Sequence, residues 1–288
     1  MNYLLFNELA DAGEGAANAN RVAEELKGKG FEVGEMISLI GLDTKEFFAK
    51  CEEKDNVVIF GGDGTLNHFV NNIGDEKISC PLYLYPTGTG NDFQRDLPEE
   101  SKDQNLGIYR INSFVSNLPI VEVQGKKYRF VNGIGFGIDG ECCVKAEEMK
   151  AAGEKNINYG NITIGLLMGP YVPPTATIVI DGKEPIVMKK AYLASAMNGR
   201  FYGGGMMIAP GQVRNSGKLT LACIHGRGKL GTLLLFPKLF KGTHVKKKKS
   251  VYLEQGKVIE VSFDRPCGLQ IDGEVLTGVT SYKAYIQE

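Results

Sequence analysis

The sequence predicts a two-part architecture, a parallel α/β domain followed by a β-rich domain of antiparallel, sandwich-like build. Three observations carry that expectation. In the first third of the 288-residue chain, short apolar runs alternate with helical patterns, as they do where crossover helices bury the strands of a parallel sheet. Two of those runs end in glycine-rich loops, and functional loops in such sheets follow the strands' carboxyl ends. Beyond about Leu118 the pattern changes to short strand-like segments separated by Gly-containing turns, the spacing of an antiparallel sandwich.

Taken in order, Tyr3–Phe6 reads as a strand and Ala16–Lys29 as a helix that breaks at Gly30. Phe31–Met36 reads as a second strand and Thr44–Glu53 as a second helix. Val57–Phe60 is a buried strand ending in glycines, followed by a helix over Thr65–Ile73, and Pro81–Tyr85 is another such run. After the change of pattern, strands are expected at Ile120–Val123, Tyr128–Asn132, Ala176–Ile180, Ile186–Met188, Ala191–Met197, Leu219–Ile224, Ser250–Leu253, Val258–Phe263 and Leu269–Ile271. Asp181-Gly182-Lys183 is a turn signal between two of them. Helices are expected near Val144–Ala152 and over Lys229–Phe240, where Pro237 argues against one unbroken helix. The domains divide as 1–118 and 119–277, with 278–288 considered below.

Composition narrows the function. Hydrophobic residues at 43% suffice for a packed core, and a net charge of -1 speaks against bulk electrostatic binding to nucleic acid. No stretch reaches the roughly 18–20 uninterrupted apolar residues of a bilayer span. The start, Met1–Phe6, has no basic n-region, so no secretory signal is expected. The six cysteines include no C-x-x-C pair. They read as reduced thiols of a cytoplasmic protein. His68, His225 and His244 stand far apart, and no metal ligand set is assigned.

The strongest signal is Gly61-Gly62-Asp63-Gly64-Thr65-Leu66-Asn67, directly after the strand Val57–Phe60. Paired glycines let a backbone approach a ligand closely, and the N–H groups opening the next helix favour phosphate. An aspartate there suits a ribose hydroxyl, a metal ion or an attacking hydroxyl. A plain tight turn, with Thr65 capping the helix, accounts for the same residues without a ligand. The second loop, Pro86-Thr87-Gly88-Thr89-Gly90-Asn91-Asp92-Phe93, offers hydroxyls, an amide and a carboxylate after the next strand. Near the carboxyl end, Asp272-Gly273-Glu274 has the composition of a hairpin turn.

These residues resemble the diacylglycerol kinase catalytic-domain family, which includes bacterial lipid kinases and the related sphingosine and ceramide kinases. Gly-Gly-Asp-Gly-Thr and Pro-x-Gly-Thr-Gly-Asn-Asp-Phe carry the likeness, and the second favours lipid kinases over the NAD kinases and phosphofructokinases that share the first. Asn132–Asp139, Asn198–Met206 with Ala209-Pro210, and Gln270–Glu274 are similar to later family segments. The resemblance implies an NAD kinase/phosphofructokinase-like nucleotide-binding domain, a β-sandwich domain, an interdomain cleft, and a final strand, 278–288, returning to the first domain.

It also implies an ATP-dependent transfer of the γ-phosphate to a lipid hydroxyl, with diacylglycerol the default acceptor, at the inner membrane surface. Gly61, Gly62, Gly64, Thr65, Asn67, Thr87, Gly88, Thr89, Gly90 and Asn91 would then bind ATP with its Mg²⁺. Asp63 would sit near the metal or the hydroxyl, and Glu274 would be the base with Asp272 beside it. Homodimerisation is compatible with a chain of this type. An NAD-kinase-like transferase on a soluble acceptor, or a weakly catalytic nucleotide- or lipid-binding regulator, fits the loops as well.

Three departures from the family pattern stand out. His68 replaces a usual glutamate and reads as a helix-surface residue. Asn7-Glu8 and Asp11–Gly15 stand where relatives carry a basic residue. Asn215–Thr220 replaces an acidic cluster proposed to hold a structural Mg²⁺. Lys229–Phe240 with Lys246–Lys249 reads either as a membrane-contacting segment or as a core-facing helix with a solvated lysine-rich edge.

Overall fold

The computed structural model describes residues 1–10, 13–154, 156–169 and 171–287. Asp11 and Ala12, in the N-terminal segment singled out above, lie outside the described residues. The chain divides into two compact units, Met1–Leu118 and Pro119–Glu288.

In the first unit the order is β1 (Asn2–Phe6), α1 (Gly15–Gly28), β2 (Glu35–Ser38), α2 (Thr44–Lys50), β3 (Asn56–Gly61), α3 (Asp63–Ile73), β4 (Leu82–Pro86), α4 (Asp92–Arg95), β5 (Lys102–Asp103), β6 (Ile108–Arg110) and α5 (Asn112–Val115). The sheet order is β2-β1-β3-β4-β6-β5. The first four strands are parallel, and their apolar runs are buried on both faces: Leu4, Leu5, Val58 and Ile59 are all fully buried. Ala19, Val22 and Leu26 of α1 pack on Leu4, Phe6, Val58 and Phe60. Asp43 caps α2 by accepting from the Glu46 N–H at 3.0 Å, a contact worth about 1 kcal/mol.

The parallel α/β sheet is as expected, and β6 antiparallel to β4 with β5 antiparallel to β6 extends it at one edge. One expectation is corrected. The strand expected over Phe31–Met36 begins only at Glu35. Gly30 adopts φ +87° and the Phe31 N–H turns back to the Leu26 carbonyl, closing α1 and delaying the strand.

The second unit contains β7 (Ile120–Val123), β8 (Lys126–Arg129), β9 (Gly133–Phe136), α6 (Ile138–Ala151), α7 (Tyr159–Met168), β10 (Ala176–Ile180), β11 (Ile186–Met188), β12 (Leu193–Met197), β13 (Phe201–Tyr202), β14 (Met206–Met207), β15 (Leu219–Ile224), α8 (Lys229–Leu233), α9 (Phe236–Phe240), β16 (Val251–Gly256), β17 (Val258–Ile271) and β18 (Glu274–Tyr285). The main antiparallel ladder runs β16-β15-β12-β9-β17-β18-β7-β8, with β10 on β17 and β11 on β10. Strands from distant places in that ladder share one core, in which Val121, Ile134, Ile178, Leu221, Val261 and Ala284 meet. The sheet therefore curls over its own inner face. A second apolar layer lies under α7, α8 and α9, around Leu167, Tyr192, Leu193, Ile208, Leu235 and Leu239.

The structure merges the two segments expected at Val258–Phe263 and Leu269–Ile271 into one strand, with register shifts between Ser262 and Leu269. It also corrects the expected return of 278–288. β18 pairs with β17 and β7, and Val279, Tyr282 and Ala284 face the second unit's core. Tyr282 and Ala284, buried on either side of exposed Lys283, keep the period of two that commits this end of the strand to that sheet. Asp181 (φ 51°) and Gly182 (φ 68°) form the expected tight turn.

Candidate active site

In the first unit the two glycine-rich loops end adjacent parallel strands, in a register that sets Gly61 opposite Pro86. They touch backbone to backbone. A Cβ on Gly62 would lie 2.7 Å from the Gly88 Cα, and one on Gly88 2.8 Å from the Gly62 Cα. Neither position accepts a side chain unless the other loop moves. The Thr87 N–H adds a 3.2 Å bond to the Gly61 carbonyl.

Asp63 opens α3 and reaches across to the second loop. Its carboxylate accepts from the N–H of Asp92 at 2.9 Å and of Phe93 at 2.8 Å. Those N–H groups begin α4, so Asp63 caps a helix that follows the other loop. The sequence expects Asp63 near the metal or the attacking hydroxyl; in this structure both carboxylate oxygens also brace the second loop.

Around this clasp Gly64, Thr87 and Thr89 are exposed, while Gly90 is half-buried with its carbonyl accepting from Arg95 at 3.1 Å. Asn91 adopts φ 46°, and its buried Oδ1 has no hydrogen-bond partner among the described residues. Thr65 and Asn67 are in the interior instead. Asn67 is 5% exposed and accepts from the Asn71 amide through its carbonyl and Oδ1 at 3.0 and 3.3 Å. His68 is exposed on α3 beside Asn72, 2.9 Å away.

In the second unit Asp272, at φ 48°, accepts from the N–H groups of Val131, Asn132 and Gly133 at 2.5, 2.8 and 3.0 Å. The buried Arg214 holds the same segment from its other side, donating to the Val131 carbonyl and to Asn132 Oδ1. Asp272 therefore clamps a loop. Glu274 differs. It begins β18 with its side chain exposed, and among the described residues it makes no hydrogen bond or ion pair.

Gln270 was missed by sequence reasoning. It is 3% exposed and bridges two segments: its Nε2 donates to Asp139 Oδ2 at 2.9 Å, and its Oε1 accepts from the Gly273 N–H at 2.7 Å. Asp139 stands on the wall of a narrow apolar cavity lined by Leu167, Leu193, Ile208, Leu235 and Leu239. Burial raises its carboxyl to about 6, against the opposing hydrogen bonds of Gln270 and Tyr202. A Cβ on Gly135 would lie 1.8 Å from Asp139 Oδ2, so glycine at that position is what lets the carboxylate fold back. The signal available in the sequence was that spacing, Gly135 four residues before Asp139. Tyr202 arrives on β13, next to the Gly203–Gly205 turn, with its hydroxyl 3.3 Å from Ser195 Oγ.

The departure at Asn215–Thr220 holds in three dimensions. Ser216 Oγ donates to the Lys218 carbonyl at 3.3 Å, and Thr220 Oγ1 to Gln212 Oε1 at 2.6 Å. With the Arg214 guanidinium adjacent, these neutral oxygens do not fit a resident divalent cation. Among the described residues no group of three or more His, Cys, Asp or Glu side chains is placed to hold a metal.

Comparison with known proteins decides the family. Residues 2–115 match the model of the diacylglycerol kinase catalytic domain, and residues 132–284, more than half of the chain, match the YegS C-terminal NAD kinase beta sandwich-like domain. The chain belongs to the diacylglycerol kinase catalytic-domain family. It is a lipid kinase by that membership. A protein of Mycobacterium tuberculosis (strain CDC 1551 / Oshkosh) named diacylglycerol kinase is 28% identical over 248 residues, covering 84% of this chain and 78% of its own. A crystal structure titled as a diacylglycerol kinase of Bacillus anthracis str. Sterne superposes with a TM-score of 0.62 at 19% identity. That superposition covers 100% of this chain and 93% of the other, and it shows the shared fold. Among the described residues no helix is long and apolar enough to cross a membrane.

Proposed function

We propose that this lipid kinase transfers the γ-phosphate of ATP to the hydroxyl of diacylglycerol, giving phosphatidic acid, at the surface of a membrane to which it binds peripherally. The observation that carries the nucleotide half is the clasp of Asp63 on the second loop, with Gly62 and Gly88 in backbone contact. It fixes two glycine-rich loops side by side before any ligand arrives. Phosphoryl transfer asks for such prepaid positioning more than for covalent chemistry. The phosphates would lie along Gly61–Gly64 at the N-terminus of α3, with Thr87, Gly88, Thr89 and Gly90 as further contacts. The partnerless Asn91 oxygen would accept from a nucleotide donor. Mg²⁺ would enter with ATP, as part of the substrate, and neutralise its phosphates.

In the second unit Glu274 would accept the proton of the attacking hydroxyl, its turn held by the Gln270 bond to Gly273 and by the Asp272 clamp. The acceptor hydroxyl is a poor acid, so the proton moves late and placement outweighs a tuned pKa. The apolar cavity beside Asp139 would take part of the lipid.

The test is transfer of labelled γ-phosphate from Mg-ATP to a panel of lipid acceptors in mixed micelles, with NAD as a soluble control. Labelled phosphatidic acid is the expected result. Label in NAD alone would move the function to a soluble acceptor. ATP binding without label in any acceptor would make the protein a regulator.

A further inference from the structure

The helices that cover the apolar layer of the second unit are apolar on their outer side as well. In α7 the inner Ile162 and Leu167 are buried, yet Ile164 and Met168, one turn apart, face outward, Met168 at 62% exposure. In α8 and the turn after it, Leu230 and Leu234 are likewise one turn apart and 66% and 65% exposed, while Thr232 and Leu235 point inward. Phe240 closes α9 at 45% exposure with Leu239 beneath it. A surface helix of a water-soluble protein normally carries polar residues on that side. α7 and α8 pack together, and the Lys229 ammonium is bonded to the Gly169 carbonyl, so these pairs belong to one surface.

The charges along the α8–α9 side of that surface are of one sign, whereas α6, packed on α7, carries exposed Glu147 and Glu148. From Pro185 to Leu253 the chain carries no Asp or Glu, in a protein whose net charge is -1. Lys246, Lys247, Lys248 and Lys249 are all exposed, and with Arg227, Gly228 and Gly231 they border one open depression at the start of α8. The cations thus stand at the edge of the exposed leucines.

We propose that the outer faces of α7, α8 and α9, with Lys246–Lys249, are the surface by which the protein docks on an anionic bilayer. This rests on the lipid-kinase reading above and names the face and the headgroup charge that reading leaves open. Leucine, methionine and phenylalanine side chains enter the acyl boundary while the lysines meet anionic headgroups. Charge complementarity selects this occupant. A second copy of the chain would bring the two lysine clusters together across an isologous contact. A nucleic acid would meet the lysines but leave the apolar pairs without partners.

The experiment is co-sedimentation of the full chain with phosphatidylcholine vesicles, with and without phosphatidylglycerol, across a salt series. Wild type should bind the anionic vesicles, bind neutral ones at least about tenfold more weakly, and dissociate as salt rises. L230S/L234S, and separately K246Q/K247Q/K248Q/K249Q, should each lower binding by about tenfold or more, with an unchanged melting midpoint. Phosphorylation of a short-chain diacylglycerol in detergent should be unaffected, because none of these side chains lies in the proposed site. Equal binding to both vesicle types, or variants that bind like wild type, would overturn the proposal. So would a stable dimer in solution that dissociates on L230S/L234S without any vesicle binding. If vesicle binding follows the prediction but no lipid is phosphorylated, the docking face stands and the proposed catalytic reading fails.

Discussion

Asp63 in the first unit and Asp272 in the second stand in similar short sequences, Gly-Asp-Gly and Asp-Gly-Glu, and do the same structural work. Each spends its carboxylate on backbone N–H groups of a segment distant in sequence: Asp63 on 92–93, Asp272 on 131–133. The difference lies in what each turn leaves over. Beside Asp63 are glycine backbone and exposed hydroxyls, a surface for an anion. Beside Asp272 is Glu274, an exposed carboxylate, a surface for a proton. An aspartate in a glycine-rich turn is thus first a structural brace. In the proposed reading the chemistry falls to its neighbours, donors beside Asp63 and an acceptor beside Asp272.

The sharpest way to test that division is Glu274→Gln. If the exposed carboxylate is the base, turnover should fall by about 10²–10⁴-fold, with the thermal midpoint unchanged because the side chain makes no described contact. Turnover close to wild type would take Glu274 out of the catalytic set and leave the acidic turn purely structural.

The two braces should then separate from each other. Asp63→Ala and Asp272→Ala each strand buried or half-buried backbone N–H groups, at a cost of about 2–4 kcal/mol in unfolding free energy, read by denaturant titration. Both should reduce turnover. Only Asp63→Ala should weaken ATP binding, measured by calorimetry, since only it releases the nucleotide loops. Loss of ATP affinity in Asp272→Ala would show that the braces are not independent.

The unequal legibility of the two units follows from the range of their contacts. β3, its loop and α3 were readable because a continuous apolar run, paired glycines and a helical pattern follow one another within 57–73. β5, β6, α5 and α7 went unread: the first three are two to four residues long, and α7 has apolar residues on both sides, which blurs its period. The partners of Asp63 lie 29 and 30 residues away and the Gln270–Asp139 pair is 131 apart. Such pairings are set by strand order, which no local pattern encodes. Glu274 and Asp272 share one motif, and no local pattern says which of them the fold leaves exposed.

A smaller effect is expected at the loop contact itself. Gly88→Ala places a methyl group 2.8 Å from the Gly62 Cα, backbone that cannot step aside cheaply. Overpacking of this kind costs about 1–3 kcal/mol. Because the strain falls on the loops rather than the core, about a tenfold loss of ATP affinity should exceed any change in melting. A melting change with ATP affinity intact would mean that the contact serves folding and not the nucleotide.

The smallest effect should come from Asp139, the carboxylate on the wall of the apolar cavity. Burial moves Asp139 from 3.8 to about 6 in the folded protein. Between those two values the folded chain holds a proton that the unfolded chain has released. Stability must therefore fall as pH rises through that window, and level off above about 6 where both states are ionised. After allowing for the partial exposure of Asp139, the loss should be about 1–2 kcal/mol. Asp139→Asn removes the titration while keeping an acceptor for the Gln270 amide, so its unfolding free energy should lose that component of the pH dependence. If wild type and Asp139→Asn trace parallel pH curves between 4 and 6, the carboxylate is already ionised at low pH. It would then be a charge held by the hydrogen bonds around it rather than a proton carrier beside an apolar cavity.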